Sequence, residues 1–182
     1  MNPLPHAPTN GVENVVFSQD GKLIALGMLD GHVSIWNFAS GQLLYSCREH
    51  TRAVTSLCFS HEGTWLASGG RDNLVVLYDW RTGLTKRLEG HFESIQGLAF
   101  APQDKTLVSV SADGSIRFWS LANYQVALKL AHRSGAVNSV VFSPDGNLMA
   151  TAGSDGTVRL WPAMPLDDLH DLSASKPKVN RK

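Results

Sequence analysis

The stretch VNSVVFSPDGNLMATAGSDGTVRLW, residues 137–161, is divided by its own punctuation. Residues 137–142 are rich in valine, SPDGN carries an Asp-Gly turn signal, LMATAG is again apolar, SDG is a second turn signal, and TVRLW closes the unit. Short runs of valine, leucine and aromatic residues between Asp-Gly turns predict a strand–turn–strand–turn–strand meander. No helical period runs between them. The runs stay apolar on both sides, so the strands are expected to be covered on both faces.

The same unit occurs three more times upstream. Phe17, Phe59, Phe100 and Phe142 each end a short apolar run. Asp30, Asp72, Asp113 and Asp155 follow thirteen residues later, and Trp36, Tyr78, Trp119 and Trp161 six residues after those. Successive units are offset by 42, 41 and 42 residues. A fixed period of this size marks an array in which each unit buries its faces against its neighbours. Residues 42–47, 84–88 and 125–130 supply a fourth strand before the next unit. The fold class is therefore all-β, with four-stranded antiparallel sheets and four such units in the chain. A Pro-rich N-terminal segment spans residues 1–11. The repeats occupy 12–161 (about 12–49, 50–90, 91–131 and 132–161), and a polar tail expected to be disordered runs from 162 to 182.

A period near 41 with four strands per unit resembles the WD-repeat family, whose repeats run about 40–45 residues. The resemblance covers residues 12–161. The dipeptide that gives the family its name is poorly kept, since the units end Trp36-Asn37, Tyr78-Asp79, Trp119-Ser120 and Trp161-Pro162. The resemblance implies β-propeller blades and, in each blade, a buried hydrogen-bond chain of His, Ser or Thr, Asp and Trp. It assigns His91, Ser109, Asp113 and Trp119 to the third blade, and His132, Thr151, Asp155 and Trp161 to the fourth. The second has His50, Ser68 and Asp72, with Tyr78 in place of Trp. The first keeps Asp30 and Trp36, but Leu26 stands at the Ser/Thr position and no His precedes Phe17 at the matching distance.

Recurring Ser, His and Asp also suggest a hydrolytic triad, in which the nucleophile must face a cleft. Here the set returns in successive units, as a structural device does. A buried carboxylate is costly unless paired, and the His, the hydroxyl and turn N–H groups are suitable partners. No cysteine/histidine cluster has zinc spacing, and no phosphate-binding or calcium loop is present. No metal or cofactor is expected. His32 and His61 read as incidental, and Trp65 as packing between blades.

Apolar residues make up 43% of the chain, charged residues 18%, and the formal net charge is zero. That composition is globular, and it gives no electrostatic case for nucleic acid or an acidic membrane as partner. No apolar run approaches the roughly 20 residues of a membrane helix, and the first residues lack signal-peptide features. Cys47 and Cys58 lie in apolar runs and read as two buried free thiols. The expected compartment is the cytoplasm, or alternatively the nucleus.

The expected function is a non-catalytic scaffold that binds proteins or peptides through loops on a rigid frame. The resemblance places the contact positions at the start of each inner strand and before each turn Asp. These are Arg52, Thr55 and Arg71 in the second blade, and Phe92, Glu93, Gln96 and Ala112 in the third. In the fourth they are Arg133, Asn138 and Ser154. A sensor or regulatory module of a larger signalling protein is the alternative, and an enzyme with its site at the channel mouth is a third reading. Propellers close with 4–8 blades, and the resemblance implies a ring larger than four. Three architectures follow: two chains forming an eight-bladed ring by self-association, a piece of a longer or split propeller, or four blades closing alone.

Overall fold

The computed structural model describes residues 11–131 and 135–162. The readings of the Pro-rich segment (apart from residue 11), the tail beyond residue 162, His132 and Arg133 lie outside those residues. Four antiparallel sheets follow one another along the chain. The first holds β1 (Val12–Phe17), β2 (Leu23–Met28), β3 (His32–Asn37) and β4 (Leu43–Arg48). The second holds β5 (Val54–Phe59), β6 (Trp65–Gly70), β7 (Val75–Asp79) and β8 (Leu84–Leu88). β9 (Ile95–Phe100), β10 (Thr106–Ser111), β11 (Ser115–Ser120) and β12 (Gln125–Ala131) make the third. The fourth has three strands among the described residues: β13 (Val137–Phe142), β14 (Leu148–Gly153) and β15 (Val158–Pro162). Strand order equals chain order in every sheet, so each blade is a meander.

Tight turns make these meanders, five of them Asp-Gly (20–21, 30–31, 113–114, 145–146 and 155–156), and β-branched residues fill the pleat. Near the start of each inner strand the ladder slips, at Val12/Asn14, Val54/Ser56 and Val137/Ser139, and opposite β9 at Val110/Ser111. A bulge of this kind sharpens the local twist and re-aims side chains. In four blades it sits at the same end of the sheet.

The blades stack by one repeated face-to-face interface. Ala25, Val33 and Ile35 of the first blade meet Val54, Leu57, Leu66 and Tyr78 of the second. Ala67, Val75 and Leu77 of the second meet Ile95, Leu98, Phe100, Leu107 and Trp119 of the third. Val108, Val110 and Ile116 of the third meet Val137, Val140 and Met149 of the fourth. All these side chains are buried, and each full burial of a Val or Leu contributes about 1.5–3 kcal/mol. On its other face the first blade buries a small cluster of Ile24, Leu26, Met28 and Trp36.

Trp65 packs where expected, edge-on to Tyr124 with centroids 6.2 Å apart, beside the second-to-third interface. Cys47 and Cys58 are free but only half-buried, not buried as the apolar runs suggested. Cys47 lies on β4, the outer strand of the first sheet among the described residues.

Candidate functional site

The recurrent polar residues converge in the middle of each sheet. In the third blade Trp119 Nε1 donates to Ser109 Oγ at 2.8 Å. An indole N–H is donor only, so the Ser109 proton is directed to His91 Nε2, 2.7 Å away. His91 Nδ1–H then donates to Asp113 at 3.0 Å. The carboxylate also accepts the backbone N–H groups of Phe92 (2.9 Å) and Ser115 (2.8 Å). The chain thus fixes one neutral tautomer of His91. Burial pushes the His91 pKa below its ordinary value, against the opposing pull of Asp113. Burial alone raises the Asp113 pKa, but hydrogen bonds from Ser115 and the Phe92 N–H outweigh it and hold the carboxyl well below the usual range.

In the second blade His50 Nδ1–H donates to Asp72 at 2.9 Å, and His50 Nε2 lies 2.6 Å from Ser68 Oγ. Tyr78 Oη, 2.9 Å from Ser68 Oγ, does the work of the missing indole. Asp72 accepts the Thr51 and Leu74 N–H groups as well. In the fourth blade Trp161 Nε1 donates to Thr151 Oγ1 at 3.0 Å, and Asp155 holds Thr157 and Arg159. The first blade departs from expectation. Its Trp36 Nε1 donates to Ser34 Oγ at 2.9 Å. Ser34 is the cross-strand partner of Leu26, so the hydroxyl has moved from β2 to the facing position on β3.

The proton order Ser–His–Asp is that of a catalytic triad, but the setting is not. Ser68, Ser109, His50 and His91 are all buried, and each hydroxyl is closed off by an aromatic donor. A nucleophile needs an open face toward substrate. What the chains do, in the second and third blades, is tie the loop entering the blade to the turn between its second and third strands.

That tie gathers the remaining sequence candidates on one rim. Arg71 N donates to Ala53 O, Ala112 N to Ser94 O, and Ser154 N to Ala136 O, so turn and loop touch in three blades. Arg52, Phe92, Glu93, Asn138 and Ser154 are exposed there. Phe92 is 76% exposed, with the Lys129 ammonium 5.7 Å from its ring centroid. Other candidates are engaged within the fold. Thr55 Oγ1 lies 2.6 Å from Ile95 O of the next blade, Arg71 pairs with Glu13 at 2.8 Å, and Gln96 donates to Ser94 at 2.8 Å. Between the second and third blades the rim opens into a cleft of about 570 Å³ that includes Glu49, Asn73, Glu89 and Phe92. Arg87, also in that cleft, is held by Glu49 at 2.8 Å.

On the opposite rim the structure shows a residue that sequence reasoning missed. Asp104 accepts from His61 N, His61 Nδ1 and Glu62 N at 3.0, 2.9 and 2.9 Å. His61, which the sequence gave no role, thereby joins the second blade to the third. Nothing in its local sequence marks it, because the partner lies a full repeat away.

Comparison with known proteins matches this architecture. The model of the WD domain, G-beta repeat, fits residues 41–79, 83–120 and 125–162, and that of the anaphase-promoting complex subunit 4 WD40 domain fits residues 4–55. Each of the first three segments holds the outer strand of one blade and the first three strands of the next. An uncharacterized WD repeat-containing protein of Synechocystis is 36% identical over 123 residues, covering 66% of this chain and 35% of that protein. Human WD repeat and SOCS box-containing protein 1 is 34% identical over 111 residues, 59% of this chain and 26% of that one. Among solved structures, U3-55K superposes with a TM-score of 0.78 at 26% identity, over 86% of this chain and 50% of that chain. The chain therefore spans about a quarter to a third of these curated relatives and half of that solved chain. Family models, blade topology and the buried His–Ser–Asp chains agree: this chain belongs to the WD-repeat family of β-propeller proteins.

Proposed function

We propose that the chain is a non-catalytic scaffold whose loop rim binds protein or peptide partners in the cytoplasm or nucleus. One observation carries this reading: in the second and third blades the recurrent His–Ser pair is buried and fastens a loop to a turn, leaving a rim on which Phe92 is exposed. Loops on such a frame are where recognition concentrates, and an exposed aromatic beside charged groups is a typical anchor. Arg52 and Arg71 stand on that rim with Glu13 and Glu93 among them, so the surface is mixed in sign. Mixed charge suits a protein partner carrying an acidic segment better than a phosphate backbone. Arg52→Glu combined with Arg71→Glu should release copurifying partners. Retention of every partner, or tight salt-sensitive binding to bulk DNA, would contradict this reading.

A second reading has its own observation. The chain spans only part of each relative, and one relative is named for a SOCS box beside its WD repeats. This favours a regulatory module that works joined to other domains. Binding of the isolated rim to partners with undiminished affinity would argue against it.

A further inference from the structure

Two cations face each other on the third blade with no anion between them. Arg117 on β11 and Lys129 on β12 are direct cross-strand partners, so their side chains leave the same face of the sheet. Like charges placed opposite one another destabilise a ladder. The matching pairs elsewhere avoid this: Ser34 faces Ser46 in the first blade, and Val76 faces Arg87 in the second. Arg117 is only 8% exposed. Its Nη2 donates to Gly90 O, its Nε has no partner, and the guanidinium carbon lies 6.0 Å from the Trp119 ring centroid. Lys129 is exposed, with its ammonium over Phe92. Among the described residues neither cation is paired with a carboxylate, and Glu89, beside Gly90 in the chain, bonds to neither. A buried charge without a counter-ion is costly.

The neighbouring blades show what is missing. In the second blade the outer-strand cation, Arg87, is held at 2.8 Å by Glu49, the residue before His50. In the fourth, Arg159, at the repeat position of Arg117, is held by Asp155 at 3.0 Å. In the third, the residue before His91 is Gly90, and Asp113 is taken up by His91, Ser115 and the Phe92 N–H. The third blade therefore has the cations of both neighbours and the carboxylate of neither. A Cβ at Gly90 would collide with the guanidinium, so glycine lets Arg117 reach the wall of the cleft that Gly90, His91 and Phe92 line.

We infer that this cleft takes the carboxylate of an aspartate or glutamate side chain on a protein partner, held by Arg117 and Lys129 beside Phe92. The inference rests on the reading of the rim as a partner-binding surface and gives that surface an anchor. The incoming carboxylate stands to Lys129 as Glu49 stands to Arg87, and a guanidinium fork offers a carboxylate paired donors. Glu49 and Glu89 line the same cleft. They repel a doubly charged phosphate about twice as strongly as a carboxylate, which favours the carboxylate.

Fluorescence polarisation with a labelled hexaglutamate peptide tests this on the full chain. The native chain should bind, and Arg117→Met should weaken binding by about tenfold or more. Lys129→Met, at an exposed position, should weaken it by about threefold. Lys22→Met in the β1–β2 turn should leave it unchanged. The Arg117→Met chain should melt no lower than the native one, because the change removes a buried charge that has no counter-ion. A lower melting temperature would make Arg117 a structural prop and overturn the inference. So would a native chain that ignores hexaglutamate, or binding that survives both Met changes. Release by Arg52→Glu with Arg71→Glu alone would remove this site and leave the proposed function standing. Tighter, Arg117-dependent binding of the same peptide with one phosphoserine among its glutamates would overturn the choice of carboxylate over phosphate.

Discussion

Asp104 accepts the His61 Nδ1 proton at 2.9 Å from a backbone held in the left-handed region, at φ 52°. The same turn position is Gly21, Gly63 and Gly146 in the other blades. Two further residues follow this pattern. Asn73, at φ 69°, stands where the repeat otherwise has Gly31, Gly114 and Gly156, and its Nδ2 donates to Phe92 O at 3.0 Å. Tyr124, at φ 61°, stands where Gly41 and Gly83 stand, and packs against Trp65 with Lys86 over its ring. These are the three non-glycine residues with positive φ among the described residues. All three reach across the joint between the second and third blades. An unfavourable backbone is tolerated where the side chain fastens a neighbour.

Asp104→Gly separates these two effects. Glycine relieves roughly 1 kcal/mol of left-handed strain, but hydrogen bonds to a charged acceptor are worth about 1.5–3 kcal/mol. A net loss of about 1 kcal/mol is expected in urea unfolding, with faster amide exchange at His61 and Glu62. A more stable variant would show that the strain relieved exceeds what the contact contributes.

Asp113→Ala leaves His91 Nδ1 and the Phe92 and Ser115 N–H groups without their acceptor. It should destabilise by about 2–4 kcal/mol. Arg71→Ala removes an exposed pair with Glu13 and should cost less than about 0.5 kcal/mol. Equal shifts in the two urea midpoints would refute the structural role of the buried chain.

Ser34→Ala tests the first blade's substitute. It leaves the buried Trp36 Nε1 without its acceptor, at a cost of about 1–3 kcal/mol. The double change Ser34→Ala with Leu26→Ser rebuilds the hydroxyl on β2, as in the other blades, and should recover part of that loss. No recovery would mean the indole is insensitive to which strand carries its partner.

Acid should weaken the fold in two stages. The His91 pKa is lowered by burial, so the unfolded chain takes up a proton first and stability falls as pH drops below about 6.5. The Asp72 and Asp113 pKa values are held down in the folded state despite burial. Their contribution is full above about pH 4 and is lost as pH falls further. Unfolding midpoints at pH 7.5, 5.5 and 3.5 should therefore decrease in order, and His91→Gln should flatten the first interval. A flat profile between pH 7.5 and 5.5 for the native chain would contradict the neutral, buried His91.

The blades were legible in the sequence because Phe, Asp and Trp recur at fixed offsets, and because Asp-Gly turns leave only a meander between them. The polar chains were legible for the same reason in the second and third blades. Ser34 was not, because a hydroxyl moved across a ladder keeps its place in space while losing its place in the repeat. Asp104 and Asn73 read as ordinary turn residues, since what sets them apart is a partner in the adjacent blade. The engagement of Thr55 with Ile95 O was hidden likewise, because that acceptor belongs to the next blade.

A paired capture experiment bears most directly on the rim. The native chain, a rim variant (Arg52→Glu, Phe92→Ala, Glu93→Lys) and a control with Lys22→Glu in the β1–β2 turn would be compared for bound proteins by quantitative mass spectrometry. All three should melt alike, since the changed side chains are exposed. If the rim binds partners, a defined set of proteins bound by both the native chain and the control is lost from the rim variant by tenfold or more. Identical sets on all three, with melting unchanged, would place the binding surface elsewhere.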